Sequence, residues 1–333
     1  MYIALMKKIL PLLFFFFHEL CGTITIPFTM DVGGGFRQDH LKIGIFDPGD
    51  SGALTYREDY QHISFAQTEL TLRTVRRDIF LLANIGYGAI GSGKLTQGPI
   101  FLDFSPETPT FYFTTSAQAY HALGIFGYQV NLTPDRYYTV AFTPLLGYSW
   151  YYEQINRKSP HPNPYSSPVF PGEPDVFQMT SGLHKDLTAE WNGFFIGADV
   201  QIYPGGRVTL NATYAYHFMA LRQHLYGESN VRTFSGSGAL LLDETTQFST
   251  KVNTGGNHGH LGILKAACAF TQKWSGILYG KILYLTSHIR TIKVKEQTIT
   301  NFPSHAETTE IIPRKYEFRQ TTLEVLLELS YGF

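Results

Sequence analysis

Between Val208 and Phe218 the chain reads Val-Thr-Leu-Asn-Ala-Thr-Tyr-Ala-Tyr-His-Phe. The even positions hold Val208, Leu210, Ala212, Tyr214, Tyr216 and Phe218, and the odd ones Thr209, Asn211, Thr213, Ala215 and His217. Successive side chains of a strand point to opposite faces, so this period of two predicts a strand with one greasy and one polar face. The pattern spreads outward from there. Phe194, Ile196, Ala198, Val200 and Ile202 alternate with Gly197, Asp199 and Gln201, with Phe195 as the exception. Tyr138, Val140, Phe142, Leu146, Tyr148 and Trp150 alternate with Thr139, Thr143 and Ser149, interrupted at Pro144. At the end of the chain Leu323, Val325, Leu327, Leu329, Tyr331 and Phe333 alternate with Glu324, Leu326, Glu328, Ser330 and Gly332.

Connections between these strands come in two kinds. Val75 to Asp78, Thr133 to Arg136, Pro204 to Arg207 and Thr271 to Trp274 are tight and turn-prone. Longer polar stretches lie between them, at Phe46 to Tyr60, Gly91 to Thr115, Asn156 to Asp186, Gly227 to Asn257 and Thr291 to Lys315. Four short turns and five long loops predict about ten strands. An even, antiparallel set with short turns on one rim and long loops on the other is the pattern of an all-β transmembrane barrel, its short turns periplasmic and its long loops extracellular.

Composition agrees with that reading and excludes others. Only 16% of the 333 residues are charged, fewer than in an ordinary soluble domain, while 21 Tyr, 26 Phe and 31 Gly suit aromatic-girdled strands. A mean hydropathy of -0.09 leaves no room for a bundle of membrane helices. With 26 basic and 27 acidic residues the chain lacks the basic excess of a nucleic-acid binder. Two cysteines make no disulfide scaffold. If the greasier parity faces lipid, then Glu69, Arg73, Asp199, Lys265, Lys281, Glu324 and Glu328 all fall on the other parity and line the lumen. Charge exposed to hydrocarbon costs a few kcal/mol, so this segregation is expected of a barrel.

Upstream, Lys7 and Lys8 precede the apolar run Ile9 to Phe17, too short to cross a bilayer but suited to a signal-peptide core. Residues 1–22 are therefore expected to be an export signal and 23–333 the barrel, with the outer membrane as destination. The terminal Tyr331-Gly332-Phe333 resembles the signal that outer-membrane assembly machinery reads on its substrates.

The run Ile63 to Gly91, the pair Ala117 to Tyr151 with its Leu146-Gly147-Tyr148, the segment Trp191 to Gly197 and the final strand together resemble the ten-stranded omptin barrel. They are more similar still to the omptin-like Protochlamydia outer membrane protein family. Omptins are endopeptidases in which an Asp-x-Asp pair faces an Asp-x-His pair to activate a water. The resemblance places the first pair at Phe101-Leu102-Asp103 and the second at Arg222-Gln223-His224. Half of each is missing, and losing the carboxylate that orients a catalytic histidine costs orders of magnitude in rate. Asp103 and His224 are thus the candidates for a rearranged site, and the expectation is a barrel without omptin chemistry.

His258 and His260 share one strand face, yet no third ligand accompanies them, and rim polarity is the plainer reading. Gly33-Gly34-Gly35 lacks a following helix to hold phosphate and relieves crowding in a narrow strand. The expected role is a small porin or structural surface protein with no cofactor and no metal. An omptin-like endopeptidase is the first alternative and an adhesin working through its loops the second. Expected partners are outer-membrane lipid, the assembly machinery and small solutes or ions, with nucleic acid excluded.

Overall fold

Fifteen antiparallel strand segments make one continuous sheet in the computed structural model, which describes residues 28–46, 54–89, 94–97, 110–111, 114–134, 139–158, 163–165, 176–204, 207–235, 239–288 and 290–333. The expected export signal, 1–22, lies outside the described residues. In chain order the segments are β1 (Phe28–Phe46), β2 (Leu54–Arg76), β3 (Ile79–Ala89), β4 (Lys94–Gln97), β5 (Thr110–Phe111), β6 (Thr114–Tyr128), β7 (Val130–Pro134), β8 (Thr139–Lys158), β9 (Asn163–Tyr165), β10 (Val176–Tyr203), β11 (Val208–Ser235), β12 (Leu240–Ala269), β13 (Trp274–Thr286), β14 (Arg290–Phe302) and β15 (Ala306–Gly332).

The sheet closes on itself in the order β1, β15, β13, β12, β11, β10, β8, β6, β3, β2 and back to β1. The five remaining segments extend this ring: β4 and β5 beside β2, β7 on β8, β9 on β10, and β14 between β12 and β15. The count exceeds the ten expected partly because short irregularities, at Gln129 and at 287–288, divide two walls into β6 with β7 and β13 with β14. Much of what the sequence suggested as loop is strand as well. The stretch 227–257 lies mostly in β11 and β12, and 291–315 lies mostly in β14 and β15. Runs such as Thr245-Thr246-Gln247 carry no greasy parity, because a wall that meets water outside needs none.

A strand needs about 9–11 residues to cross the hydrocarbon at a steep tilt. β10 and β11 have 28 residues each and β12 has 30. At about 3.3 Å per residue and a 45° tilt, the surplus lifts the walls on the order of 40 Å beyond the bilayer on the long-loop side.

Both faces of the walls change character at that level. On β15 the outward residues Leu323, Val325, Leu327 and Leu329 are 43–71% exposed, whereas the outward residues beyond them are Thr321, Arg319 and Glu317. The inward residues change in the opposite sense. Ser330, Glu328 and Glu324 give way to Gln320, Phe318 and Tyr316, all buried. β1 repeats the exchange, with Val32 and Phe36 outside and Asp31, Arg37 and Asp39 inside, then His40 and Lys42 outside and Leu41, Ile43 and Ile45 inside. Lipid outside the lower half rewards apolar residues there, while water outside the upper half drives them to the interior.

Aromatic girdles bound the lipid-facing band. On the loop side Tyr87, Tyr120, Tyr152 and Trp150 run side by side with ring centroids 5.0–6.1 Å apart. On the turn side Trp274 meets Tyr331 at 4.7 Å and Phe28 meets Phe333 at 5.6 Å. Arg77 and Asp78, both at positive φ, join β2 to β3 in a two-residue turn, a geometry that matches strand twist. Gly33 answers crowding as expected, since a Cβ there would lie 2.6 Å from Cγ of Glu328.

Leu327, 71% exposed near the middle of the band, gives this placement a test. Leu327→Arg is expected to destabilise the refolded protein in liposomes by about 2–4 kcal/mol, against about 0–1 kcal/mol for Thr321→Arg at the band's edge on the same strand face. Urea unfolding of both variants measures the difference, and equal effects would place the band elsewhere.

Candidate functional site

The most elaborate constellation among the described residues is a charged layer inside the barrel, where the interior passes from polar to apolar. Arg37 and Asp39, two apart on β1, face inward together, and the guanidinium donates from Nε at 3.0 Å and from Nη2 at 2.6 Å to the Asp39 carboxylate. The same guanidinium lies 3.9 Å from both Glu153 on β8 and Glu324 on β15 and rests over the Phe65 ring. From β13 the Lys281 ammonium donates to Glu324 Oε2 at 2.9 Å and stands 3.8 Å from Glu69 on β2. Asn84 Nδ2 donates to Glu69 Oε2 at 3.0 Å and to Thr71 at 2.8 Å, and its Oδ1 is 2.9 Å from His121 Nε2. All of these charged side chains are at most 4% exposed. A buried charge is tolerated only where partners compensate it.

Bonds in and above this layer cross the barrel. Gln320 on β15 donates to Glu153 on β8 at 2.8 Å, and these two walls stand five places apart in the ring. Gln320 in turn accepts from Trp191 Nε1 on β10 at 3.0 Å. The Trp191 indole stacks on Phe318 with centroids 5.7 Å apart. Tyr60, Phe65, Leu221, Leu225 and Leu285 continue this apolar packing, all at most 1% exposed.

Towards the short turns the interior opens into a cavity of about 210 Å³, whose lining includes Asp31, Arg73, His121, Asp199, Lys265 and Lys281. Asp199 accepts from Asn211 at 2.7 Å, Thr213 at 2.5 Å and Gln201 at 3.1 Å. Lys265 is 3.4 Å from Glu328 and sits over the Tyr279 ring. Arg73 Nε donates to Thr29 at 3.3 Å.

The seven charged residues assigned to the lumen by parity therefore divide. Glu69, Lys281 and Glu324 stand in the layer, while Arg73, Asp199, Lys265 and Glu328 stand at the cavity level. Above the layer the interior is an apolar core. Sequence reading missed Arg37, Asp39, His121 and Glu153. The signal was present in their parity: Arg37 and Asp39 follow Gly33 and Gly35 on the inward side.

Of the two peptidase candidates, Asp103 lies outside the described residues. His224 sits on β11 between Thr188 and Lys251. Its neighbours Leu221, Gln223 and Leu225 point inward and are buried, so His224 and the exposed Arg222 take the outward face. Another imidazole–carboxylate pair, His40 with Asp59, also stands on the outer wall. His258 and His260 lie on the outer face at the loop-side girdle, where Tyr216 stacks on His258 and the Tyr214 hydroxyl is hydrogen-bonded to His260 Nδ1 at 2.8 Å.

The sequence matches the family model described as Pom, Protochlamydia outer membrane protein, over residues 31–325. No curated protein matches it. Among solved structures, the outer membrane protease OmpT from Escherichia coli aligns with a TM-score of 0.57 at 12% identity, covering 94% of this chain and 99% of that one. The translocator domain of the autotransporter NalP from Neisseria meningitidis gives 0.31 at 12% identity, over 95% and 91% of the two chains. The Pseudomonas putida toluene transporter TodX gives 0.30 at 11%, over 94% and 92%. The OmpT likeness, at that identity, bears on the fold alone. Family, closed antiparallel ring and girdled apolar band agree. This chain belongs to the Protochlamydia outer membrane protein family and is a β-barrel of the outer membrane.

Proposed function

We propose that this protein is a structural surface barrel that does not conduct, raising its loops well above the membrane, and that it is not a peptidase. One observation carries the reading: Gln320 bonds Glu153 across the lumen. Trp191, Phe318 and their apolar neighbours fill the space above that bond. An ion entering such a path would shed its water against hydrocarbon, a cost its charge cannot recover there. The walls that rise beyond the lipid band support the display of loops to the surroundings. Against peptidase chemistry stands the outward position of His224 beside Arg222, where no carboxylate orients the imidazole within its own triplet.

In this reading outer-membrane lipid wets the band. The assembly machinery engages Tyr331 and Phe333, the latter 63% exposed at the turn-side girdle. Purified, refolded protein in a planar bilayer is expected to give no unitary current at any voltage up to the membrane's own breakdown. A stable open level in the wild type would return the protein to the porin class. A fluorogenic peptide carrying paired arginines is expected to stay intact, and cleavage abolished by His224→Ala would establish the peptidase instead.

A further inference from the structure

The charged layer holds more negative than positive charge. Among the described residues, Arg37 pairs with Asp39, Glu153 and Glu324, and Lys281 pairs with Glu324 and Glu69. Carboxylates thus outnumber cations in a buried layer, where uncompensated charge is costly. The excess gathers at one point. One donor atom each from Glu69, His121 and Glu324 lies within 4.8 Å of the others. Each carboxylate has one oxygen anchored by a hydrogen bond and one met by a cation only at longer range, Lys281 at 3.8 Å from Glu69 Oε1 and Arg37 at 3.9 Å from Glu324 Oε1. Asn84 holds Glu69 Oε2 and Lys281 holds Glu324 Oε2, while Glu69 Oε1 and Glu324 Oε1 are buried without a hydrogen bond. Glu69 Oε1 does come 3.1 Å from His121 Nε2, but that nitrogen is also 2.9 Å from Asn84 Oδ1, the hydrogen bond it makes.

We propose that Glu69, His121 and Glu324 form a binding site for one divalent transition-metal ion. Two anionic oxygens and an imidazole nitrogen form a donor set suited to zinc, and the hard ions calcium and magnesium would not select the imidazole. The ion brings positive charge to a layer in which carboxylates outnumber cations. Asn84 and Lys281 act as the outer shell that orients the ligating carboxylates. Coordination through His121 Nε2 displaces the proton from that nitrogen. That proton moves to Nδ1, which has no hydrogen-bond partner, so the histidine ligates as neutral imidazole. The adjacent cavity reaches His121 and Lys281 and is large enough for several waters, giving the ion an open coordination position and a route from the turn side.

Zinc is the probe. The mature chain, refolded in detergent, stripped with chelator and dialysed against micromolar zinc chloride, is expected to retain one zinc per chain by elemental analysis. Glu69→Gln and Glu324→Gln are each expected to weaken retention at least tenfold, while the double variant His258→Ala/His260→Ala leaves it unchanged. X-ray absorption on the zinc-loaded wild type, which depends on no variant folding, is expected to show one imidazole among oxygen ligands at about 2.0–2.2 Å. No retained zinc, retention lost with His258 and His260, or a shell of two or more imidazoles would each overturn the assignment.

Discussion

Arg37→Met is expected to lower the stability of the refolded barrel by about 3–5 kcal/mol, the range for stripping one partner from a buried ion network. The guanidinium is the positive charge that Asp39, Glu153 and Glu324 share, and it is 2% exposed. Methionine fills much of its volume but leaves those acids with Lys281 as the remaining cation of the layer. In urea unfolding followed by circular dichroism in liposomes, this amounts to roughly a hundred- to a few-thousandfold shift in the folding equilibrium. Adding Asp39→Asn removes one of the stranded charges and is expected to restore part of the loss. Were Arg37→Met as stable as wild type, the layer would be hydrated rather than dry.

Trp191→Ala is expected to cost a similar amount, about 3–5 kcal/mol, by a different route. The indole is among the largest buried side chains. Its removal leaves a void beside Phe318 and takes the Nε1 donor from Gln320. Trp191→Phe keeps most of the packing and loses the hydrogen bond, so its cost is expected to be well below that of alanine. The same pair bears on transport. If the apolar core is what closes the barrel, Trp191→Ala in a planar bilayer shows flickering current that wild type and Trp191→Phe lack. An unchanged urea midpoint for Trp191→Ala would show that the upper half contributes little to folding.

Both substitutions act where sequence periodicity stops being informative. Alternation from Val208 to Phe218 is clear because lipid and lumen differ sharply in polarity there. Past Phe218 the strand continues for seventeen residues, yet its inward Leu221 and Leu225 now face outward Arg222 and His224. The greasy parity has changed sides, so a single rule applied along the chain ends the strand too early. Two bulges stand near this level. His62, at positive φ, and Gly256 are the extra residues that let Tyr60 and Ile63 on β2, and Thr254 and Asn257 on β12, face inward although three apart. An extra residue reverses the parity of everything beyond it, so alternation counted straight through the bulge assigns the wrong face.

By itself the sequence determined the class of fold, the outer membrane as its place and the two-residue alternation of its lower walls. A period of two and the cost of charge in hydrocarbon are local properties that any stretch of chain displays. Only the tertiary structure decided that Arg37, Glu153, Glu324, Lys281, Glu69 and His121 meet in one layer, and that Trp191 and Phe318 close the space above it. These residues come from walls far apart in the chain, and what faces what across a barrel depends on strand order, stagger and closure together.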